Sequence, residues 1–254
     1  MIDGIAHLRL NRPRQHNAVN SIMSRELPVA WERFRSDPDA IVAIVSGMGD
    51  KAFCTGADMR DLPDGNDQSG AETLGSIRWT SLQNKIWKPV ICAVNGMTVG
   101  GGLHFVADSD IVIAAHSATF FDTHVAVGLA SGLEPISLCQ RMPMQAVLRM
   151  ALVGAGERLS AQRAYELGMV GEVVPLDQLL KRAIEVATMI KVNSPTAMAR
   201  TKRAIWEAAD LGFNAGLQNA WPLILAQSKH PDFLEGAQAF AEKRLAHWLP
   251  ATDL

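Results

Sequence analysis

Apolar residues in this chain come in short unbroken runs, set apart by glycine, proline and acidic turns and alternating with segments of helical apolar spacing. The run 90–94, Val-Ile-Cys-Ala-Val, is opened by Pro89 and closed by an Asn95-Gly96 turn, which predicts a buried strand. Residues 41–47 predict a second, and 5–10 a loosely alternating third that Arg12-Pro13 ends. Two more are expected at 110–115 and at 172–174, where Pro175 stops the strand. Asn20 is placed to cap a helix running toward Phe34 with Met23, Leu27, Ala30 and Phe34 on one face, kinked at Pro28. A helix is also expected over 74–87, after an acidic, glycine-rich stretch at 61–76 that reads as a mobile lid. Pro135 falls in the first turn of a further helix, and the methionine-rich 140–153 reads as core or interface filler. Ser160 caps a helix that Gly168 ends.

Strand followed by helix followed by strand is an α/β pattern. From Leu176 onward no strand-like run remains. The last helix is expected over 231–248, with Leu234, Ala237, Ala241, Leu245 and Trp248 on one stripe. The shift near 192–195 divides the chain into an α/β core, residues 1–192, and a helical region, residues 193–254.

Chemistry enters with Gly100, Gly101 and Gly102, which stand between the strand at 90–94 and the helical spacing of 103–108. Backbone NH groups at a helix start are unpaired and carry partial positive charge, so they stabilise an oxygen that is becoming anionic. Glycine lets a substrate approach them closely. Leu103 and His104 follow the triplet, so no G-x-x-x-x-G-K-[ST] phosphate loop is present, and the G-x-G-x-x-G fingerprint fails as well. An ester or thioester oxygen fits better, although close helix-to-sheet packing would also account for three glycines. A second glycine-bearing junction, Ala52-Phe53-Cys54-Thr55-Gly56-Ala57-Asp58-Met59-Arg60-Asp61-Leu62, follows the strand at 41–47. Two such junctions can each aim one NH at a single carbonyl oxygen.

The segments AFCTGADMRDL and KPVICAVNGMTVGGG resemble the two signature segments of the enoyl-CoA hydratase/isomerase (crotonase) family, and the likeness runs from Leu8 to Arg244. The resemblance implies a crotonase-like spiral of ββα units with a helical C-terminal trimerisation region. It implies an oxyanion hole built from the NH groups of Ala57 and Gly101, with an acyl-CoA thioester as substrate and coenzyme A as part of that substrate rather than a separate cofactor. Asp58, Met59, Arg60, Gly100 and Gly102 would lie along the substrate, and Lys243 would hold the nucleotide end of CoA, from the same or a neighbouring subunit. A homotrimer or a hexamer of two trimers is expected. Family members usually carry one more strand ahead of 4–10, so this chain starts short by that measure.

In the hydratases of the family two carboxylates position a water. The corresponding positions here are His104 and His124. Imidazoles can still move protons near neutral pH. His124 is therefore the candidate principal acid or base, with His104 or Glu134 assisting and Asp122 able to orient His124. Some isomerase and hydrolase relatives use an acid aligning nearer Gly132, one turn from Glu134. The expected reaction is addition or removal of water at an α,β-unsaturated acyl-CoA. Double-bond isomerisation, carbon–carbon hydrolysis of a β-diketone, and non-catalytic acyl-CoA binding are the alternatives.

Composition adds limits. Of 254 residues, 48% are hydrophobic and 20% charged, and the net charge of −2 gives no electrostatic case for a nucleic acid or membrane partner. Cys54, Cys92 and Cys139 lack C-x-x-C spacing and read as reduced thiols, not a zinc or disulfide framework. No metal site is expected. The N-terminal residues lack a charged and apolar leader pattern, so a cytoplasmic protein is expected.

Overall fold

The computed structural model describes residues 3–61 and 74–251. Its elements in chain order are β1 (Ile5–Leu10), α1 (Ser21–Ser36), β2 (Val42–Gly47), β3 (Ala52–Cys54), β4 (Val90–Val94), β5 (Met97–Val99), α2 (Leu103–Ala107), β6 (Ile111–Ala115) and β7 (Thr119–Phe121). There follow α3 (Leu133–Leu138), α4 (Met144–Val153), β8 (Leu159–Ser160), α5 (Ala161–Glu166), β9 (Glu172–Val174), α6 (Leu176–Lys191), α7 (Pro195–Ala208), α8 (Phe213–Ser228) and α9 (Pro231–Glu242).

The strands form two sheets, ordered β1-β2-β4-β6-β9 and β3-β5-β7-β8. Neighbours in the first sheet are all parallel, and in the second only β7 and β8 are antiparallel. Short corners join β2 to β3, β4 to β5 and β6 to β7, so each turn of the chain lays one strand in each sheet. This is the expected spiral of ββα units. Asparagines hold the corners: Asn95 accepts from the Gly47 NH at 2.9 Å and donates to the Gly49 carbonyl at 2.8 Å, while Asn17 donates to the Met48 and Ala52 carbonyls.

The central strands are apolar on both faces because both faces are covered, as parallel sheets require. Leu179, Ala183 and Ala187 of α6 pack on Val42, Ile44, Ile91 and Ile113. The opposite face, including Ala43, Val45, Val90 and Cys92, meets Met23, Leu27, Trp31 and Phe34 of α1 and Leu103, Phe105 and Val106 of α2. The Asn20 cap is present, accepting from the Met23 NH at 3.0 Å, and α1 continues through Pro28.

Three expectations are corrected. On α1 the third buried position is Trp31, not Ala30, because the Trp31 indole finds a partner in the Trp79 carbonyl at 2.8 Å. Residues 74–87 do not form a regular helix: a single 3-10 turn at Leu74–Ser76 gives way to a string of turns. Side chains capture the backbone there, with Asn84 donating to the Arg78 and Thr80 carbonyls and Lys85 adopting a left-handed φ of 53°. The final helix ends at Glu242 because Lys243 is also left-handed, with φ 56°. Trp248 folds back to donate to the Val192 carbonyl at 2.7 Å, and α9 turns Asp232 and Ala239 inward in place of the expected stripe. Of the stretch 61–76 expected to form a lid, residues 62–73 lie outside the described residues. Among the described residues no helix is long and apolar enough to cross a membrane.

Candidate active site

The first glycine junction is built on a bridge between Val19 and Ala57. Val19 donates to the Gly56 carbonyl at 2.8 Å and accepts from the Asp58 NH at 2.9 Å. In a parallel pairing of this kind the bridged residue turns its own NH to the opposite side, so the exposed Ala57 presents its NH away from Val19. Gly56, at φ 80°, is pressed against the second junction: a Cβ there would stand 2.8 Å from the Gly101 nitrogen. Gly100–Gly102 form a tight 3-10 turn leading into α2, and the Leu103 NH bonds back to the Gly100 and Gly101 carbonyls. The Gly101 NH stands at the start of that turn, without a partner inside it. Two strand-to-loop junctions far apart in sequence therefore meet at Gly56 and Gly101. The Trp79 indole lies over Gly101, where a Cβ would come within 2.9 Å of the ring.

Three side chains from three elements converge beside this turn. His104 is buried on α2, and its Nε2 lies 3.3 Å from Glu134 Oε1 on α3, which packs against α2. His124, half-buried in the loop after β7, places its Nε2 3.8 Å from the same Glu134 oxygen. Its ring also touches Gly100, whose left-handed φ of 50° leaves room for the imidazole: a Cβ at Gly100 would sit 3.4 Å from His124 Cε1. Behind His124, the fully buried Asp122 accepts from Nδ1 at 2.6 Å, from the His124 backbone NH at 2.8 Å, and from the Ser131 hydroxyl.

The electrostatics follow from this packing. The hydrogen bond to Asp122 lifts His124 above the ordinary imidazole value; burial pulls it down, but the charge of Glu134 adds to the lift. Burial pushes the Asp122 carboxyl up, yet the hydrogen bonds from His124 and Ser131 outweigh it and hold the group below the usual carboxylate range. One turn beyond His104, Asp108 accepts from the Thr80 hydroxyl at 2.7 Å, and burial pushes its carboxyl up. Burial also pushes the Cys54 thiol up to about 12, which rules against a nucleophile there. Among the described residues no group of histidine, cysteine and carboxylate side chains could hold a metal ion.

Of the expected site residues, Ala57, Gly100, Gly101, Gly102, His104, His124 and Glu134 are brought together. Asp58 is otherwise employed: its carboxylate pairs with Arg12 at 2.8 Å, which holds it below the usual carboxylate range, and its NH belongs to Val19. Met59 and Arg60 are exposed on the turn that follows. Lys243 is not part of the cluster and closes α9 on the surface. Gln83, Trp79 and Ser131 also contribute; Trp79 and Gln83 belong to the stretch 79–87 that the sequence offers as a pocket wall without ranking its members, and Ser131 is not singled out by the sequence. Gln83 carries no sequence signal of its own, since its role depends on the irregular backbone around it.

What this cluster offers chemically is a carboxylate oxygen between two imidazole nitrogens, with a second carboxylate fixing one imidazole, all beside the point where two glycine-bearing junctions meet. Comparison with known proteins shows which family carries this fold. A family model described as enoyl-CoA hydratase/isomerase matches residues 2–250. The (E)-benzylidenesuccinyl-CoA hydratase of Thauera aromatica is 34% identical over 240 residues, covering 94% of this chain and 93% of that protein. The mevalonyl-coenzyme A hydratase of Aspergillus fumigatus is 34% identical over 250 residues, covering 96% and 91%. A crystal structure of an enoyl-CoA hydratase/isomerase from Mycobacterium paratuberculosis superposes with a TM-score of 0.88 at 36% identity, covering 98% of this chain and 95% of the other. Matched over nearly its whole length in sequence and in fold, the chain belongs to the enoyl-CoA hydratase/isomerase family and has the crotonase fold.

Proposed function

We propose that this protein adds water to, or removes it from, an α,β-unsaturated acyl-CoA thioester. One observation carries the reading: the two positions at which hydratases of the family place carboxylates are His104 and His124, and both lean on a single buried carboxylate oxygen of Glu134. The acid–base equipment is thus relocated, not lost. In this reading the thioester carbonyl accepts from the Ala57 and Gly101 NH groups, which stabilise the enolate; one such donor is worth about 10²–10³ in rate. Glu134 takes a proton from water as its oxygen adds to the β-carbon, and protonated His124 delivers a proton to the α-carbon. Elimination reverses both transfers. Coenzyme A enters as part of the substrate. The hydratase names of the two relatives support the reaction class without specifying the acyl chain.

A panel of short, long and cyclic enoyl-CoA thioesters, followed by loss of the conjugated absorbance, tests this. His124→Ala and Glu134→Gln are each expected to lose about 10²-fold or more in kcat/KM. Full activity in both variants would end the proposal. The Asp122–His124 pair also favours a second reading, a hydrolase in which His124 activates water against a β-diketone carbon–carbon bond, and turnover of such a substrate in place of every enoyl-CoA would select it.

A further inference from the structure

We propose that His104 is a positioning residue, not a proton carrier: Gln83 fixes its ring proton on Nε2, and that proton holds the Glu134 carboxylate in place. The proposal rests on the reading of Glu134 as the acid–base carboxylate. The chain of reasoning starts at the backbone. Gln83 Oε1 accepts from the Trp79 NH at 2.8 Å and the Thr80 NH at 3.1 Å. A side-chain amide has one accepting end, so two backbone donors fix which end that is. The NH₂ end must then face His104, where Gln83 Nε2 lies 3.4 Å from Nδ1.

An NH₂ group can only donate, so His104 Nδ1 presents its lone pair and the ring hydrogen resides on Nε2. That hydrogen points at Glu134 Oε1, 3.3 Å away. The direction of donation therefore runs from backbone to Gln83, to His104, to Glu134. His124 is wired the opposite way. Its Nδ1 hydrogen is given to Asp122 at 2.6 Å, which leaves Nε2 free to exchange protons 3.8 Å from the same Glu134 oxygen. The two histidines share a partner but not a task.

The surroundings hold the bracket still. His104 is buried with its ring edge-on to Trp79, centroids 6.3 Å apart, and the Gln83 NH is tied to the Thr80 hydroxyl at 3.3 Å. The backbone donors of Trp79 and Thr80 reach the Gln83 side chain because residues 77–85 do not form the expected helix. Side chains of Gln83, Trp79, Glu134 and Asp108 are the groups that face or charge the imidazole.

Nitrogen-15 NMR of histidine-labelled whole protein, without substrate, reads the tautomer directly. Wild type is expected to show His104 protonated on Nε2 only, and Gln83→Leu to lose that preference. A wild-type His104 protonated on Nδ1 would overturn the proposal. Kinetics supply a second arm, since the Nε2 of a glutamine at 104 can reproduce the donated hydrogen bond but cannot carry a proton. His104→Gln should stay within about tenfold of wild type and keep its pH profile, whereas His104→Leu should lose about 10²-fold. Equal losses in the two variants, each folded by circular dichroism, would overturn it as well. Full activity in Glu134→Gln would instead remove the parent reading and leave the tautomer result standing.

Discussion

The carboxylate of Asp122 holds His124 twice over, accepting from ring Nδ1 at 2.6 Å and from the backbone NH at 2.8 Å through the same oxygen. The pair makes stability depend on pH in a definite direction. His124 lies above its ordinary value of 6.5, chiefly through the bond to Asp122, so its contribution is complete below 6.5 and fades as pH rises through the raised value. Asp122 lies below its ordinary value of 3.8, its hydrogen bonds outweighing burial, so its contribution is complete above 3.8 and fades as pH falls through the depressed value. Both are present between the two ordinary values. Asp122→Asn should therefore lower the thermal unfolding midpoint most near about pH 5–6, with the gap narrowing toward alkaline pH. A gap that stays constant across that range would reduce Asp122 to a main-chain anchor.

The glycine triplet separates scaffold from site. Gly102 faces the Cys54 backbone so closely that a Cβ would stand 2.9 Å from the carbonyl carbon and closer still to its oxygen, and neither can move freely. Gly102→Ala should destabilise the fold by about 3 kcal/mol or more, since overpacking against backbone has no relief. Gly100→Ala meets the His124 ring at 3.4 Å and the Thr123 hydroxyl at 3.7 Å, with a left-handed φ of 50°. It should cost about 1–2 kcal/mol of backbone strain and a larger loss of activity, because the imidazole must shift. Denaturant midpoints and kcat/KM for the two variants give the ordering; Gly102→Ala as stable as wild type would contradict the packing.

The contrast explains what the sequence could convey. Strands such as Val90–Val94 and the corners at Asn95 and Gly100 are local devices, written in unbroken apolar runs and in residues that tolerate special backbone geometry. The placement of the two NH-bearing junctions was legible through the resemblance carried by residues 52–62 and 88–102. Glu134 was only half legible, because it stands thirty positions beyond His104, and only the packing of α3 on α2 decides that it faces the histidines. Gln83 could not be told apart from its neighbours in the wall-forming stretch 79–87. Apolar spacing over 74–87 suggests a helix, but Thr80, Gln83 and Asn84 bind the backbone themselves, and competition of that kind is not visible in periodicity.

Lys202 of α7 is buried with its ammonium 2.9 Å from Asp110 and 3.0 Å from the Lys88 carbonyl, at the edge of a cavity of about 800 Å³. Asp110 in turn accepts from the Trp206 indole and the Val90 NH, both at distances below 3 Å, so one carboxylate ties α7 to the first sheet. Removing the cation takes away the ion-pair partner of that carboxylate and leaves it the weaker field of Arg141. Lys202→Met is expected to destabilise by about 3–5 kcal/mol, and the double variant with Asp110→Asn by less than the sum of the singles. Equilibrium unfolding in urea measures both, and strict additivity would mean that the pair is not coupled.

Large apolar side chains stand open on the C-terminal helices and beyond: Phe213 is 82% exposed, Phe240 88% and Leu245 82%. Exposed aromatic and aliphatic area of this extent marks a surface that another chain covers. The family resemblance implies a homotrimer or a pair of trimers, and sedimentation of the protein as such a species is the expected outcome. Phe240→Glu combined with Leu245→Glu should shift it to smaller species without unfolding the α/β core. Lys243 lies between those two positions on the turn that ends α9, and the family resemblance implies that it holds the CoA phosphates of its own or a neighbouring site. Lys243→Ala should then raise KM for an acyl-CoA several-fold with kcat unchanged, the signature of lost uniform binding, while the assembly stays intact. A KM that does not move would place Lys243 outside the substrate's reach, and a wild-type protein that sediments as a monomer would dismiss the shared interface.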